Sequence, residues 1–195
     1  MKKLATTILI TIGLFGCAAT PMPENVETRD QRGNAVIDRV THDFPLQNSA
    51  SFSRMKICVV ENVRNDSVDL QDSASSFTGA YTGNVYHIEK GRTEGGGETV
   101  RLIDEDTNTI IATGVTDYTK ALITSYLRYD VKISTYPEED NLRMVFSRIE
   151  AAQGDTGYLS NDGFNPVGTW YGAGSGAALE ALQGVAQSLG RCISE

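Results

Sequence analysis

"ALITSYLRYDVKIST", residues 121–135, alternates along most of its length. Leu127, Tyr129, Val131 and Ile133 fall on one side, and Tyr126, Arg128, Asp130 and Lys132 on the other. A period of two is that of a strand with one buried and one wet face. Working outward, "YPEED" (136–140) turns the chain and "NLRMVFSRIEAA" (141–152) returns, with Leu142, Met144 and Phe146 on one face. Upstream, "TIIATGVTDY" (109–118) is rich in β-branched residues, "EDTN" (105–108) is a polar turn, and "TVRLID" (99–104) is a short strand. Four consecutive strands joined by short turns predict an antiparallel meander.

The flanks complete the expected fold. In "SGAALEALQGVAQSLGRCISE" (175–195), Ala178, Leu182, Val185 and Leu189 recur at helical spacing, with Ser175 placed to cap the helix. "FSRMKICVVEN" (52–62) reads as the first core strand, with Met55, Ile57 and Val59 alternating against Lys56, Cys58 and Val60. Residues 63–98 are rich in Ser, Thr, Gly and Asp, with a short strand in "AYTGNVYHIEKG" (80–91) and a flexible loop in "GRTEGGGE" (91–98). The predicted class is α+β: an antiparallel meander sheet of about five or six strands with a C-terminal helix packed on one face. Such an arrangement resembles the small TBP-like or helix-grip domains, a likeness of fold that carries no function.

The N-terminus carries the most specific signal. Lys2 and Lys3 precede an apolar run from Ala5 to Phe15, followed by Leu14-Phe15-Gly16-Cys17. The run is shorter than the ~20 residues a membrane-spanning helix needs and has the length of a signal-peptide core. Leu14 to Cys17 resembles the lipobox of bacterial lipoproteins, with Phe15 larger than is usual at its position. The resemblance implies cleavage before Cys17 and a diacylglycerol on its sulfur. Several acyl chains together make a stable anchor where one does not. Ala18, in place of the Asp that commonly retains lipoproteins at the inner membrane, implies the outer membrane of a Gram-negative envelope, on its periplasmic side. Residues 17–50 hold three of the five prolines and few large apolar residues, and read as a flexible tether. Residues 51–195 are then one domain.

Without residues 1–16 the chain keeps 15 Lys and Arg against 25 Asp and Glu, a formal charge of −10. That balance excludes a nucleic-acid partner, which calls for a basic footprint. Export to an oxidising compartment, with Cys17 acylated, leaves Cys58 and Cys192 to pair with each other as a disulfide between the first core strand and the C-terminal helix.

Each catalytic motif meets a plainer explanation. "GAGSGA" (172–177) matches a dinucleotide fingerprint, but too little chain follows for a βαβ unit. Ser175 lacks the flanking glycines of a nucleophile elbow, since Ala173 and Ala177 stand there, and its candidate bases are His42, in the tether, and His87, in the short strand of residues 80–91. Asp104, Glu105 and Asp106 lack the glycine and the twelfth-position Glu of a calcium loop, and "PEED" (137–140) likewise reads as a turn. Glu98 and Glu150 are carboxylates that sequence alone cannot bring together as a glycosidase pair. No zinc spacing exists, so neither metal nor cofactor is expected. Two binding candidates remain. The polar ladder Tyr126, Arg128, Asp130 and Lys132 suits an anionic or sugar ligand, or is the solvent face of a sheet. Phe164, Trp170 and Tyr171 in "NDGFNPVGTWYGAG" (161–174) make a binding loop, or fill the gap between sheet and helix. The expected function is a non-enzymatic, lipid-anchored envelope protein that binds or scaffolds an envelope protein partner. The alternatives are a small-ligand or lipid carrier with a cleft between sheet and helix, and a hydrolase.

Overall fold

The computed structural model describes residues 20–46, 51–120, 122–136 and 140–194. Residues 1–16 and Cys17, on which the signal-peptide and lipidation expectations fall, lie outside the described residues.

The meander is present. Strands β7 (Val100–Asp104), β8 (Thr109–Lys120), β9 (Ile123–Tyr136) and β10 (Asn141–Gln153) pair in sequence order, all antiparallel. Leu127, Tyr129, Val131 and Ile133 of β9 and Leu142, Met144 and Phe146 of β10 are fully buried. Tyr129 meets Phe146 edge to face at 5.3 Å between centroids. Helix α2 (Ser175–Ser194) lies on this face and buries Ala178, Leu182, Ala186, Leu189 and Ile193 in it, so the fold is α+β with the helix packed on the sheet.

Two expectations are corrected. The supposed tether contributes β1 (Val26–Gln31) and β2 (Asn34–Pro45), which extend the sheet beyond β10 in the order β1-β2-β10-β9-β8-β7. The hairpin turns at Arg32 and Gly33, both at positive φ (55° and 81°), a two-residue turn whose twist matches that of the strands. β2 then buries Ile37 and Val40 against the core. A boundary at residue 50 would cut through the sheet.

The supposed first strand, residues 52–62, is helix α1 (Phe52–Asn62). The Ser51 side chain accepts a hydrogen bond from the Arg54 amide and caps the helix. Met55, Cys58 and Val59 share the buried face, while Ile57 and Val60 point to solvent. Cys58 does pair with Cys192, at a Cα–Cα distance of 5.7 Å, but the bond joins helix to helix.

The outer face of the sheet is partly covered. Strands β3 (Ser67–Asp72) and β6 (Lys90–Gly95) form a separate ribbon whose Val68 and Leu70 pack with Ala152, Val115, Tyr126 and Phe164. Between them, β4 (Phe77–Thr78) and β5 (Val85–Tyr86) form a small exposed hairpin. The connection after β10 is anchored by β11 (Asn165–Pro166), which pairs with β10, and by Thr169, which donates its amide to Ala35 O on β2.

Candidate functional site: an arginine concavity on the outer sheet face

Side chains on the outer face of β8, β9 and β10 are set by register. Thr113 and Ser147 lie opposite Asp130, and Val115 and Glu150 lie opposite Arg128. Between Ser147 and Glu150 the register slips at a bulge, where Arg148 takes a left-handed φ of 49°. The bulge turns Arg148 onto the outer face, where its guanidinium pairs with Asp130. Arg101 reaches in from β7 and donates Nε to Thr113 Oγ1 at 3.0 Å; that hydroxyl in turn donates to Asp130 at 2.7 Å. Arg128 donates Nε and Nη2 to Glu150 Oε2, at 3.3 and 2.7 Å. Its guanidinium lies 4.4 Å from the centroid of the Phe164 ring, a cation–π contact that fixes its plane.

Arg101, Thr113, Arg128, Asp130, Arg148 and Glu150 thereby line one concavity of about 380 Å³. Three guanidinium groups face two carboxylates, a local positive excess in a chain of net charge −8. Burial pushes the Asp130 carboxyl upward, but hydrogen bonds from Arg148 and Thr113 and the charges of Arg148 and Arg101 outweigh it, so its pKa falls below the ordinary value. Asp130 is therefore held ionised, which suits orienting arginines and not donating a proton.

Half of the ladder read from the sequence belongs here. Arg128 and Asp130 are in the concavity; Tyr126 lines a different cavity of about 580 Å³ with Asp69, Gln71 and Leu122, and Lys132 is exposed. Arg101 and Arg148 went unrecognised. A bulge that redirects one side chain has no periodicity to betray it.

The aromatic loop does not act as a unit. Phe164 packs between the ribbon and Arg128, while Trp170 folds back over Gly168, whose missing Cβ makes room for the indole, and Tyr171 is almost wholly exposed.

The catalytic candidates stay apart. Ser175 is the first residue of α2 and is buried, and the Ala178 amide donates to the carbonyl of Gly174, the residue before Ser175. His42 lies in β2 between Phe44 and Phe146, and the His87 ring lies 6.3 Å from that of Tyr158, tilted by 40°. Asp104 accepts bonds from Thr107 and Asp106 within its own turn. Residues 137–139 of the second acidic turn lie outside the described residues. Glu98 is exposed and Glu150 is committed to Arg128. Among the described residues no group of three His, Cys, Asp or Glu is placed to hold a metal ion. The cleft expected between sheet and helix is filled, since Ala178, Leu182, Ala186 and Leu189 have no exposed surface. Among the described residues no helix is long and apolar enough to cross a membrane.

No protein-family model and no curated protein matches the chain. Among solved structures it is similar to a DUF4468 family protein from Bacteroides ovatus, at 12% identity over 83% of each chain with a TM-score of 0.39. A likeness of that size carries no argument about function.

Proposed function

We propose that the chain is a non-enzymatic, lipid-anchored protein of the bacterial envelope that binds an anionic envelope component at the arginine concavity. One observation carries the binding reading: Arg101, Arg128 and Arg148, from three different strands, converge on one hollow of an acidic protein. Planar guanidinium groups recognise carboxylate and phosphate oxygens with several donors at once. The internal bonds occupy one nitrogen of Arg101, two of Arg128 and one of Arg148, leaving further N–H groups for a ligand. Asp130 and Glu150 hold the donors in place before a ligand arrives, which lowers the ordering cost of binding. Supporting the non-catalytic part is Asp130, held ionised by Arg148, Thr113 and Arg101. The anchor reading rests on Lys2, Lys3, the apolar run to Phe15, and Leu14 to Cys17.

The test is a thermal-shift panel on residues 18–195 with oligosaccharides carrying uronate or phosphate groups, and their neutral counterparts. Charged members should raise Tm and neutral ones should not, and the double variant R101A/R148G should lose the response. No response to any anionic member, or one equal in the variant, would remove the concavity from the proposal. Mass spectrometry of membrane-extracted protein tests the anchor, through loss of residues 1–16 and a lipid-sized increment on Cys17.

A further inference from the structure

Thr20 is tied to the loop after β11: its amide donates to Thr169 O at 3.0 Å. Only Ala18 and Ala19 lie between Cys17 and Thr20, and even fully extended the three steps span at most about 11 Å. Any lipid on Cys17 therefore attaches close to the residues that follow Thr169. Those are Trp170, 41% exposed, and Tyr171, 91% exposed. Gly172 O accepts a hydrogen bond from Lys120 Nζ at 2.9 Å, which ties this loop to the tip of the β8–β9 hairpin. At that tip Lys120 pairs with Ile123, and Leu122 stands 97% exposed with Ile123 at 45%. Leu122 also has a φ of 68°, a conformation that a two-residue hairpin turn ordinarily gives to Gly or Asn. Folding gains nothing from a large apolar side chain held in a strained, fully exposed position, and such an outlier points to function.

We propose that Leu122, Ile123, Trp170 and Tyr171 form a rim that seats in the lipid surface to which Cys17 is attached. This rests on the lipid-anchor reading above. The bond from Thr20 to Thr169 selects the occupant, because it holds the short segment from Cys17 beside the loop that carries Trp170 and Tyr171, and a rim next to the acyl attachment point is held against the bilayer whatever else the protein binds. The side chains fit that occupant: Trp and Tyr favour the headgroup level, and Leu and Ile the acyl boundary. Net charge does not supply the attraction, since an acidic chain is repelled by anionic headgroups, so apolar contact has to. Seating would fix the orientation of the domain, with the hairpin tip and the start of α2 facing the membrane.

Trp170 is the sole tryptophan, so its emission reports on the rim directly. The experiment uses the full acylated chain reconstituted in vesicles of phosphatidylethanolamine and phosphatidylglycerol, with plain or brominated acyl chains. Trp170 emission should shift to the blue on reconstitution and be quenched by the brominated lipid. The variant L122D/Y171D, altered at two side chains that are over nine-tenths exposed, should stay folded and acylated but lose the quenching. If acylated wild type emits alike in both vesicles, or cross-links between copies through Leu122 and Tyr171 instead, the rim proposal falls while the anchor stands. If quenching is equal in the variant, the rim proposal also falls. If Cys17 carries no lipid by mass spectrometry, the anchor reading falls and the rim proposal with it.

Discussion

Arg148 reaches Asp130 only because it sits at a left-handed φ of 49°, in the bulge that separates Ser147, opposite Asp130, from Glu150, opposite Arg128. The pairing thus joins backbone strain to an electrostatic contact, and two substitutions separate them. Arg148→Ala removes the guanidinium and keeps the strain; Arg148→Gly removes both. A left-handed non-glycine residue costs roughly 1 to 2 kcal/mol. The glycine variant should therefore be more stable than the alanine variant by about 1 kcal/mol in urea unfolding. In both, the Asp130 carboxyl, followed by NMR titration, should move up from its lowered pKa. Equal stability of the two variants would show that the bulge carries no strain.

Cys58 and Cys192 close a loop spanning 134 residues. By the chain-entropy estimate such a loop contributes on the order of 4 to 5 kcal/mol. Thiol titration of denatured, unreduced residues 18–195 should find no free thiol. The variant C58S/C192S should lose several kcal/mol in denaturant unfolding, since that bond is the covalent link between α1 and α2.

His42 gives a pH dependence. Its Nε2 is buried without a hydrogen-bond partner, the ring lies 5.8 Å from that of Phe146, and burial lowers its pKa below 6.5 despite the neighbouring Asp43 charge. The unfolded chain then binds a proton that the folded chain resists. Stability should be full above pH 6.5, fall as pH drops below it, and level off once the folded-state pKa is passed. The Asp130 contribution runs in a separate, more acidic window: it is present above pH 3.8 and lost as pH falls through the lowered folded pKa. His42→Gln should flatten the stability profile on the acid side of pH 6.5, and an unchanged slope in that variant would exclude His42 as its source.

Gly114 leaves no room for a side chain. A Cβ there would lie 2.6 Å from the Tyr129 hydroxyl and 2.8 Å from Val63 Cγ1. Tyr129 is fully buried, with burial raising its pKa, so the ring has little room to retreat. Gly114→Ala should cost about 1 to 3 kcal/mol by overpacking, read as a lowered urea midpoint.

Residues 26–45 are part of the sheet, so a fragment beginning at residue 51 should fail to fold. Without β2, strand β10 becomes an unpaired edge on one side from Asn141 to Ser147, and the core loses Ile37 and Val40. Circular dichroism of residues 51–195 beside residues 18–195 checks this. A stable shorter fragment would mean that β1 and β2 are dispensable.

The meander and α2 were legible because each carries a long, regular period: β9 alternates through Leu127 to Ile133, and α2 repeats from Ala178 to Leu189. α1 misled because Met55, Ile57 and Val59 alternate like a strand, while the decisive set, Met55, Cys58 and Val59, needs the Ser51 cap to be noticed. β2 was obscured by charge. Asp38, Arg39 and Asp43 give it a polar composition, yet Arg39 and Asp43 meet partners on neighbouring strands, Glu27 and Arg143. The overlooked signal was the Arg32-Gly33 turn between two extended runs. The Cys58–Cys192 pairing was legible because it followed from compartment and count, and it survived the wrong assignment of residues 52–62. The concavity was half legible: Arg128 and Asp130 follow the period of β9, whereas Arg148 depends on a bulge and Arg101 on the sideways order of strands.

The Cys58–Cys192 bond also decides how the molecule answers to force. When the chain is pulled from its two ends, tension runs along its backbone, but the residues between the two cysteines are bypassed by the covalent link. Only the part before Cys58 and the few residues after Cys192 can lengthen. The β1–β2 hairpin, at the edge of the sheet and nearest the N-terminus, lies in the path of that tension and would open in zipper fashion, a few hydrogen bonds at a time. The arginine concavity, whose charged residues run from Arg101 to Glu150, sits wholly inside the shielded loop and would keep its geometry while edge strand β1 alone peels away and β2 stays paired with β10.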